Sequence, residues 1–220
     1  RNVLSQLTSE SLDNKNFPWL KGKEILINNV PIRALRINYM GELGWELHLP
    51  MQQMETLYDA IYEVGKKENI SNFGTYAVNS LRMEKAYRGW GTELTGEISL
   101  VEADMNRFFN LNKKNNFIGS NILQEKLQSG VDIKLVYLDV DVDDADARGN
   151  EPVYHENKIV GIVTSGSYGF RVKKSLAFAY VKSNLASVGT ELNIEIQGKK
   201  KRAAILTSPA YDPNNQKLKA

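Results

Sequence analysis

Cysteine is absent from the 220 residues. That removes disulfides, thiol nucleophiles, cysteine-held iron–sulfur clusters and most structural zinc sites. Histidine occurs only twice, at His48 and His155. The two fall on segments assigned below to different domains, so no metal cluster or nucleophilic triad can be assembled, and each reads as structural. There is no apolar run long enough to span a bilayer and no signal-peptide pattern at the start. Charge of one sign is also lacking. With 28 basic and 26 acidic side chains the formal net charge is +2, which leaves no broad footprint for nucleic acid or a membrane surface. Nothing marks an oxidising compartment, so the expected location is the cytoplasm, or the mitochondrial matrix if the source is eukaryotic. No glycine-rich dinucleotide fingerprint or phosphate loop is present, since Gly161 to Gly169 has the wrong glycine spacing.

What remains has the composition of a globular protein with one large or two small domains. Arg1 to Leu7 reads as an amphipathic helix without an initiating methionine, which suggests a piece of a longer protein. Phe17-Pro18-Trp19 breaks the pattern. Lys23–Ile27 and Ile32–Tyr39 flank Asn28-Asn29, a turn-tolerant pair that predicts a hairpin. In Ile37 to Leu49, a second strand should leave a turn hinged on Gly41 and Gly44, with Trp45, Leu47 and Leu49 alternating against Glu46 and His48. Glu42 should be solvated in that turn. Glu46, fixed beside buried aromatics, should need a partner to offset its desolvation.

Met54, Leu57, Tyr58, Ile61 and Gly65 predict a helix packed on one face. Tyr76 to Tyr87 predicts another, ended by Gly89 and Gly91. Arg82 and Glu84 point to different sides of it, so each needs a partner elsewhere, and ion pairs to neighbouring elements are the plain expectation. Leu100–Phe109 and Ser120–Leu127 read as short helices, the second capped by Ser120. Near Gln128-Ser129-Gly130 the periodicity changes from helical to strand-like, and a domain boundary is placed there. Lys134–Val140, Lys158–Thr164, Leu176–Val181, Glu191–Gln197 and Arg202–Leu206 read as strands of a small barrel or sandwich. The basic run Lys199 to Arg202 reads as a solvated turn. The acidic run Asp139 to Asp146 fails the calcium-loop template and reads as a solvated strand end and loop. The tail beyond Pro209 is polar and expected to be loosely held.

Two stretches carry a family resemblance. Tyr39-Met40-Gly41-Glu42-Leu43-Gly44-Trp45-Glu46 resembles the Tyr-x-Gly-Glu-x-Gly-aromatic-Glu signature of the tetrahydrofolate-binding aminomethyltransferases, the glycine cleavage T-protein family. Leu81-Arg82-Met83-Glu84-Lys85-Ala86-Tyr87-Arg88-Gly89-Trp90-Gly91 is similar to its dehydrogenase branch, the folate domains of dimethylglycine and sarcosine dehydrogenases. Asn116-Phe117-Ile118-Gly119, Thr164 to Gly169 and Lys174 to Val181 extend the likeness over nearly the whole chain.

The resemblance implies an α+β fold. The C-terminal part of a folate-binding aminomethyltransferase domain would occupy 1–128, and a small antiparallel β-barrel 129–220. It implies Glu46 as acceptor for the paired donors of a pterin edge, and Tyr39 and Tyr87 as aromatic folate contacts. It further implies tetrahydrofolate as cofactor, with FAD only on an upstream flavin domain. The partners would be an N-methyl amine or an aminomethyl donor, and the product 5,10-methylenetetrahydrofolate. The family's catalytic aspartate lies upstream of Arg1, so no catalytic residue is named.

T-proteins proper carry an Arg-Asp pair, whose arginine contacts folate, where this chain has Val78 and Asn79, which separates it from them. A stand-alone T-protein is the alternative. A non-catalytic folate binder of the iron–sulfur-assembly kind would need the cysteine this chain lacks. A fragment serving only as scaffold is the last.

Overall fold

In a computed structural model, which describes residues 1–113 and 117–220, the chain forms two compact units. The first comprises Arg1–Leu81 with Asp212–Ala220, the second Arg82–Tyr211. Asn116, which opens the third family-like run, lies outside the described residues.

The first unit begins with a single helical turn, α1 (Asn2–Ser5), in place of the longer helix the opening pattern predicts. β1 (Gly22–Ile27) and β2 (Val30–Leu35) then pair as the expected hairpin, with Ile27 facing Val30. The link is Asn28 and Asn29, both left-handed at φ 49° and 62°. Positive φ at both central residues is what a two-residue turn needs to match strand twist, and asparagine tolerates it. β2 ends at Leu35, four residues short of Tyr39, and an irregular loop carries the chain to β3 (Glu46–His48), antiparallel to β2. Leu12, Phe17, Ile25, Ile27, Ile32, Ala34 and Leu57 form the core, with Trp45, Leu47 and Leu49 packed on it. The alternation read from the sequence is therefore real.

α2 (Met54–Gly65) buries Leu57 and Gly65. Met54 and Tyr58 stay more than 45% exposed, at 56% and 48%, so the buried stripe is narrower than the pattern implies. The tail is not loose. Leu218 is buried, and Arg36, itself buried, donates from Nη2 to the Ala220 carbonyl at 2.7 Å.

α3 (Thr75–Glu84) stops before either glycine. Ala86 takes the left-handed conformation at φ 54°. The Tyr87 N–H reaches back to the Arg82 carbonyl at 3.0 Å, and the Ala86 N–H to Met83 at 2.9 Å. This pair of bonds is the Schellman ending, here built on alanine, and it turns Tyr87 off the helix axis. Leu100–Phe109 is not an α-helix. Asp104 at φ 54° interrupts it, and one 3-10 turn over Asn106–Phe108 remains. α4 (Ser120–Ser129) takes Gly119, at φ 85°, as its N-cap, while Ser120 is its first, buried residue.

The remaining strands are β4 (Ile133–Val140), β5 (Pro152–His155), β6 (Lys158–Gly169), β7 (Lys174–Lys182), β8 (Leu192–Ile196) and β9 (Lys199–Leu206). They close an antiparallel barrel in the order β4-β7-β6-β5-β8-β9. β5 is the strand the sequence did not show, and closure excludes the sandwich. β7 is buried along seven consecutive residues because both its faces are covered. Ala177, Ala179 and Val181 fill the barrel interior, while Leu176, Phe178 and Tyr180 join Met83 and Ala86 in an outer cluster. Small residues inside suit a narrow barrel.

The basic run is strand, not turn. The turn falls on Gln197 and Gly198 (φ 50° and 76°). Lys199 pairs with Asp144 at 3.2 Å, and Lys201 with Asp143 at 2.9 Å. The acidic and basic runs thus neutralise each other across the barrel surface, and among the described residues no group of acids and histidines could hold a metal.

Candidate functional site

One candidate stretch is the loop between β2 and β3, in the first unit. Asn38 builds it. Its Oδ1 accepts the N–H groups of Met40 and Gly41, each at 2.8 Å, and its Nδ2 donates to the Glu42 carbonyl. One amide thus replaces the ladder bonds that the chain gives up on leaving β2, which is why the predicted strand ends early. The two signature glycines have distinct reasons. Gly41 is left-handed at φ 76°. At Gly44, a Cβ would stand 3.2 Å from the Asn38 side chain, so a larger residue would push on the group that shapes the loop. Trp45 closes the loop onto the core, edge-on to Phe17 at 6.3 Å with the Arg36 guanidinium over its ring at 5.8 Å.

Glu46 differs from the expectation. Its side chain is 48% exposed, and it pairs with His48 Nε2 at 3.4 Å across the open face of β3. Alternation puts Trp45 and Leu47 inward and the carboxylate outward, so the premise of a desolvated acid fails. Tyr39 is half-buried on the loop, and Glu42 is half-buried rather than solvated.

A separate candidate stretch belongs to the other unit, on the segment that leaves α3. Tyr87 is half-buried, and Trp90, at the tip, is 81% exposed. Arg82 and Glu84 find separate partners, as their places on the helix require. Glu84, fully buried, accepts the backbone N–H of Arg171 at 2.7 Å and pairs with its guanidinium. Arg82 pairs with Glu93 at 3.0 Å, with side-chain exposures of 6% and 0%. The same Arg82 nitrogen holds the Tyr87 carbonyl at 3.0 Å, and its other terminal nitrogen holds Ser165 Oγ at 2.9 Å.

Glu93 is the residue that sequence reasoning missed. Its Oε2 also takes the Gly89 N–H at 2.7 Å and the Thr92 hydroxyl at 2.9 Å. Its Oε1 takes the hydroxyls of Thr164 at 2.6 Å and Ser165 at 2.5 Å. Neighbouring strand residues ordinarily face opposite sides, yet these two reach one oxygen. They can because β6 shifts register between Val163 and Ser165, and a bulge re-aims side chains. Burial alone would raise the Glu93 pKa. Arg82, Ser165, Thr164 and the Gly89 N–H outweigh it and hold the carboxyl below its ordinary value. Nothing local in Trp90-Gly91-Thr92-Glu93 signals this role, because the barrel hydroxyls that complete it lie 71 and 72 residues away.

Tyr39 and Glu46 therefore belong to one unit and Tyr87 to the other.

An α+β unit followed by a closed antiparallel barrel, with both signature loops in place, defines the aminomethyltransferase class of fold. A family model for the "GCVT N-terminal domain" matches residues 1–113, and one for the "Glycine cleavage T-protein C-terminal barrel domain" matches residues 134–212. The chain belongs to the glycine cleavage T-protein family.

Human mitochondrial dimethylglycine dehydrogenase is 43% identical over 220 residues, 99% of this chain and 25% of the relative. An aminomethyltransferase from Desulfitobacterium hafniense is 34% identical over 209 residues, covering 95% of this chain and 56% of its own length. The solved glycine cleavage aminomethyltransferase T from Bartonella henselae superposes with a TM-score of 0.83 at 24% identity, over 96% of this chain and 56% of that one. That likeness shows the fold. The chain thus spans a quarter of the dehydrogenase and little more than half of the transferases. No helix among the described residues is long and apolar enough to cross a membrane.

Proposed function

We propose that the chain is the tetrahydrofolate-binding one-carbon transfer module of a dimethylglycine or sarcosine dehydrogenase-like enzyme, forming 5,10-methylenetetrahydrofolate. Glu46, Tyr39 and Tyr87 are the folate contacts. The observation that carries this reading is how the first signature divides. Gly41, Gly44 and Trp45 each have a job in building the loop that Asn38 shapes, whereas Glu46, among the described residues, has a half-exposed partner at 3.4 Å. A carboxylate that the fold does not require, mounted at the end of a constrained loop, fits a ligand that brings its own donors.

The donor set suits the group. A pterin edge offers a ring N–H beside an amino group, which one carboxylate can accept together, and tyrosine rings suit its flat faces. When bound, tetrahydrofolate supplies the nucleophilic nitrogens that collect the carbon. These residues bind and orient it.

Identity of 43% to a dimethylglycine dehydrogenase against 34% to an aminomethyltransferase favours the dehydrogenase branch, as does Val78-Asn79 in place of Arg-Asp. In this reading FAD and the oxidation of the N-methyl amine belong to an upstream flavin domain. The module divides at residue 128 into a folate-domain portion and the barrel domain, and the matched segments 1–113 and 134–212 fall on either side. A mitochondrial matrix location follows for a eukaryotic source, in keeping with the mitochondrial relatives. A stand-alone aminomethyltransferase is the second reading, on the strength of the 34% relative.

Glu46→Ala should weaken tetrahydrofolate binding by about 1.5 to 3 kcal/mol, the worth of a charged hydrogen-bond acceptor, with the thermal midpoint unchanged. Calorimetric titration of both proteins, with a melt of each, checks this. Equal affinities would remove Glu46 from the site.

A further inference from the structure

We infer that Glu93 is a positioning residue for the ligand-facing segment Tyr87 to Trp90: its buried carboxylate fixes the backbone that carries both rings. The inference rests on the folate reading for what those rings meet, and on geometry alone for how they are held.

Between Tyr87 and Leu94 the chain has little regular structure. It folds on itself through the Glu93 N–H to the Gly89 carbonyl at 3.1 Å, Leu94 to Gly89 at 3.0 Å, and Gly91 to Leu94 at 2.8 Å. These bonds close a ring of backbone but do not tie it to anything. Arg88 ties the segment to the Ala103 and Ala86 carbonyls, and the Glu93 side chain ties it to the barrel, binding the Gly89 N–H on one oxygen and the hydroxyls of Thr164 and Ser165 on the other. Tyr180 adds a hydroxyl to the Glu93 carbonyl at 2.8 Å. Arg82 completes the clamp from the helix side, holding Glu93 and the Tyr87 carbonyl with one nitrogen. The bulge in β6 is what lets adjacent hydroxyls serve one oxygen.

A charged pair fully withdrawn from water is an expensive anchor for a surface loop, and an apolar contact would hold such a loop as firmly. What the carboxylate adds is direction. Five donors converge on two oxygens, so the ring-bearing segment has one register against the barrel rather than several. Trp90, at 81% exposed, gains nothing from the core and depends on this register for its place.

The test compares wild type with Glu93→Gln and with the milder double variant Thr164→Val/Ser165→Ala, which leaves the Arg82 pair intact. Hydrogen exchange at the Gly89, Gly91 and Leu94 amides reports the loop without any ligand, and titration with tetrahydrofolate reports the site. The expected result is faster exchange confined to this segment in both variants, and folate affinity about tenfold weaker, with exchange in the barrel core unchanged in the double variant. Unchanged exchange at these amides would overturn the inference whatever folate does. Faster exchange with wild-type affinity would reduce Glu93 to a structural anchor and overturn it too. Absence of folate binding by wild type would sink the functional reading itself, and with it the positioning role, and would be seen before any variant is compared.

Discussion

The two loops that carry the candidate folate contacts are held by opposite means. The β2–β3 loop is shaped by Asn38, whose amide bonds the backbone two, three and four residues on. The segment after α3 is shaped by Arg82 and Glu93, whose partners Thr164 and Ser165 lie more than seventy residues away, at 71 and 72 from Glu93. One loop is a local hydrogen-bonding solution that any chain with that tetrad could approach. The other exists only once the barrel has closed and its bulge has turned two hydroxyls to the same side. The first rests on one amide in a partly buried loop; the second rests on one buried charge pair.

Removing a member of that pair should therefore have the largest effect. Arg82→Ala leaves Glu93 buried without its cation and should lower stability by about 3 to 5 kcal/mol in urea unfolding. The acid limb sharpens this. The folded pKa of Glu93 is depressed, so its contribution is present above the ordinary carboxylate value and lost as pH falls through the lower folded one. Arg82→Ala should lose the advantage at neutral pH and show a flatter decline on acidification, followed by unfolding free energy against pH.

Asn38→Ala removes the acceptor of two N–H groups in a partly exposed loop. It should cost about 1 to 2 kcal/mol with no change in acid sensitivity, which the same titration would show. A cost equal to that of Arg82→Ala would erase the contrast between the loops.

The smallest effect belongs to the surface. Lys199→Ala breaks a pair with Asp144 whose members are 69% and 45% exposed. The unfolding midpoint should not move, at low salt or high.

The legibility of this chain follows the same division. The Asn28-Asn29 turn and the inward alternation of Trp45, Leu47 and Leu49 were readable because the partners lie within a few residues. So was the need of Arg82 and Glu84 for separate partners, though the sequence could not name Glu93 or Arg171. Three readings failed at backbone positions whose residue type gave no warning. α3 ends on a left-handed Ala86, Leu100–Phe109 breaks at a left-handed Asp104, and β2 stops where Asn38 takes over its hydrogen bonds. The solvated turn at Lys199 to Arg202 was misplaced because its ion-pair partners, Asp143 and Asp144, sit on a distant segment that only barrel closure brings near. The desolvation expected of Glu46 from its aromatic neighbours does not occur, because strand alternation turns the carboxylate outward.

Sequence alone determined the family and its fold class, and the hairpin. These depend on residue identity and short spacing. Tertiary structure decided that Glu93 is the buried anchor of the second loop and that the charge runs cancel. Each depends on which distant groups share a dielectric environment, and the linear order of residues does not encode that distance.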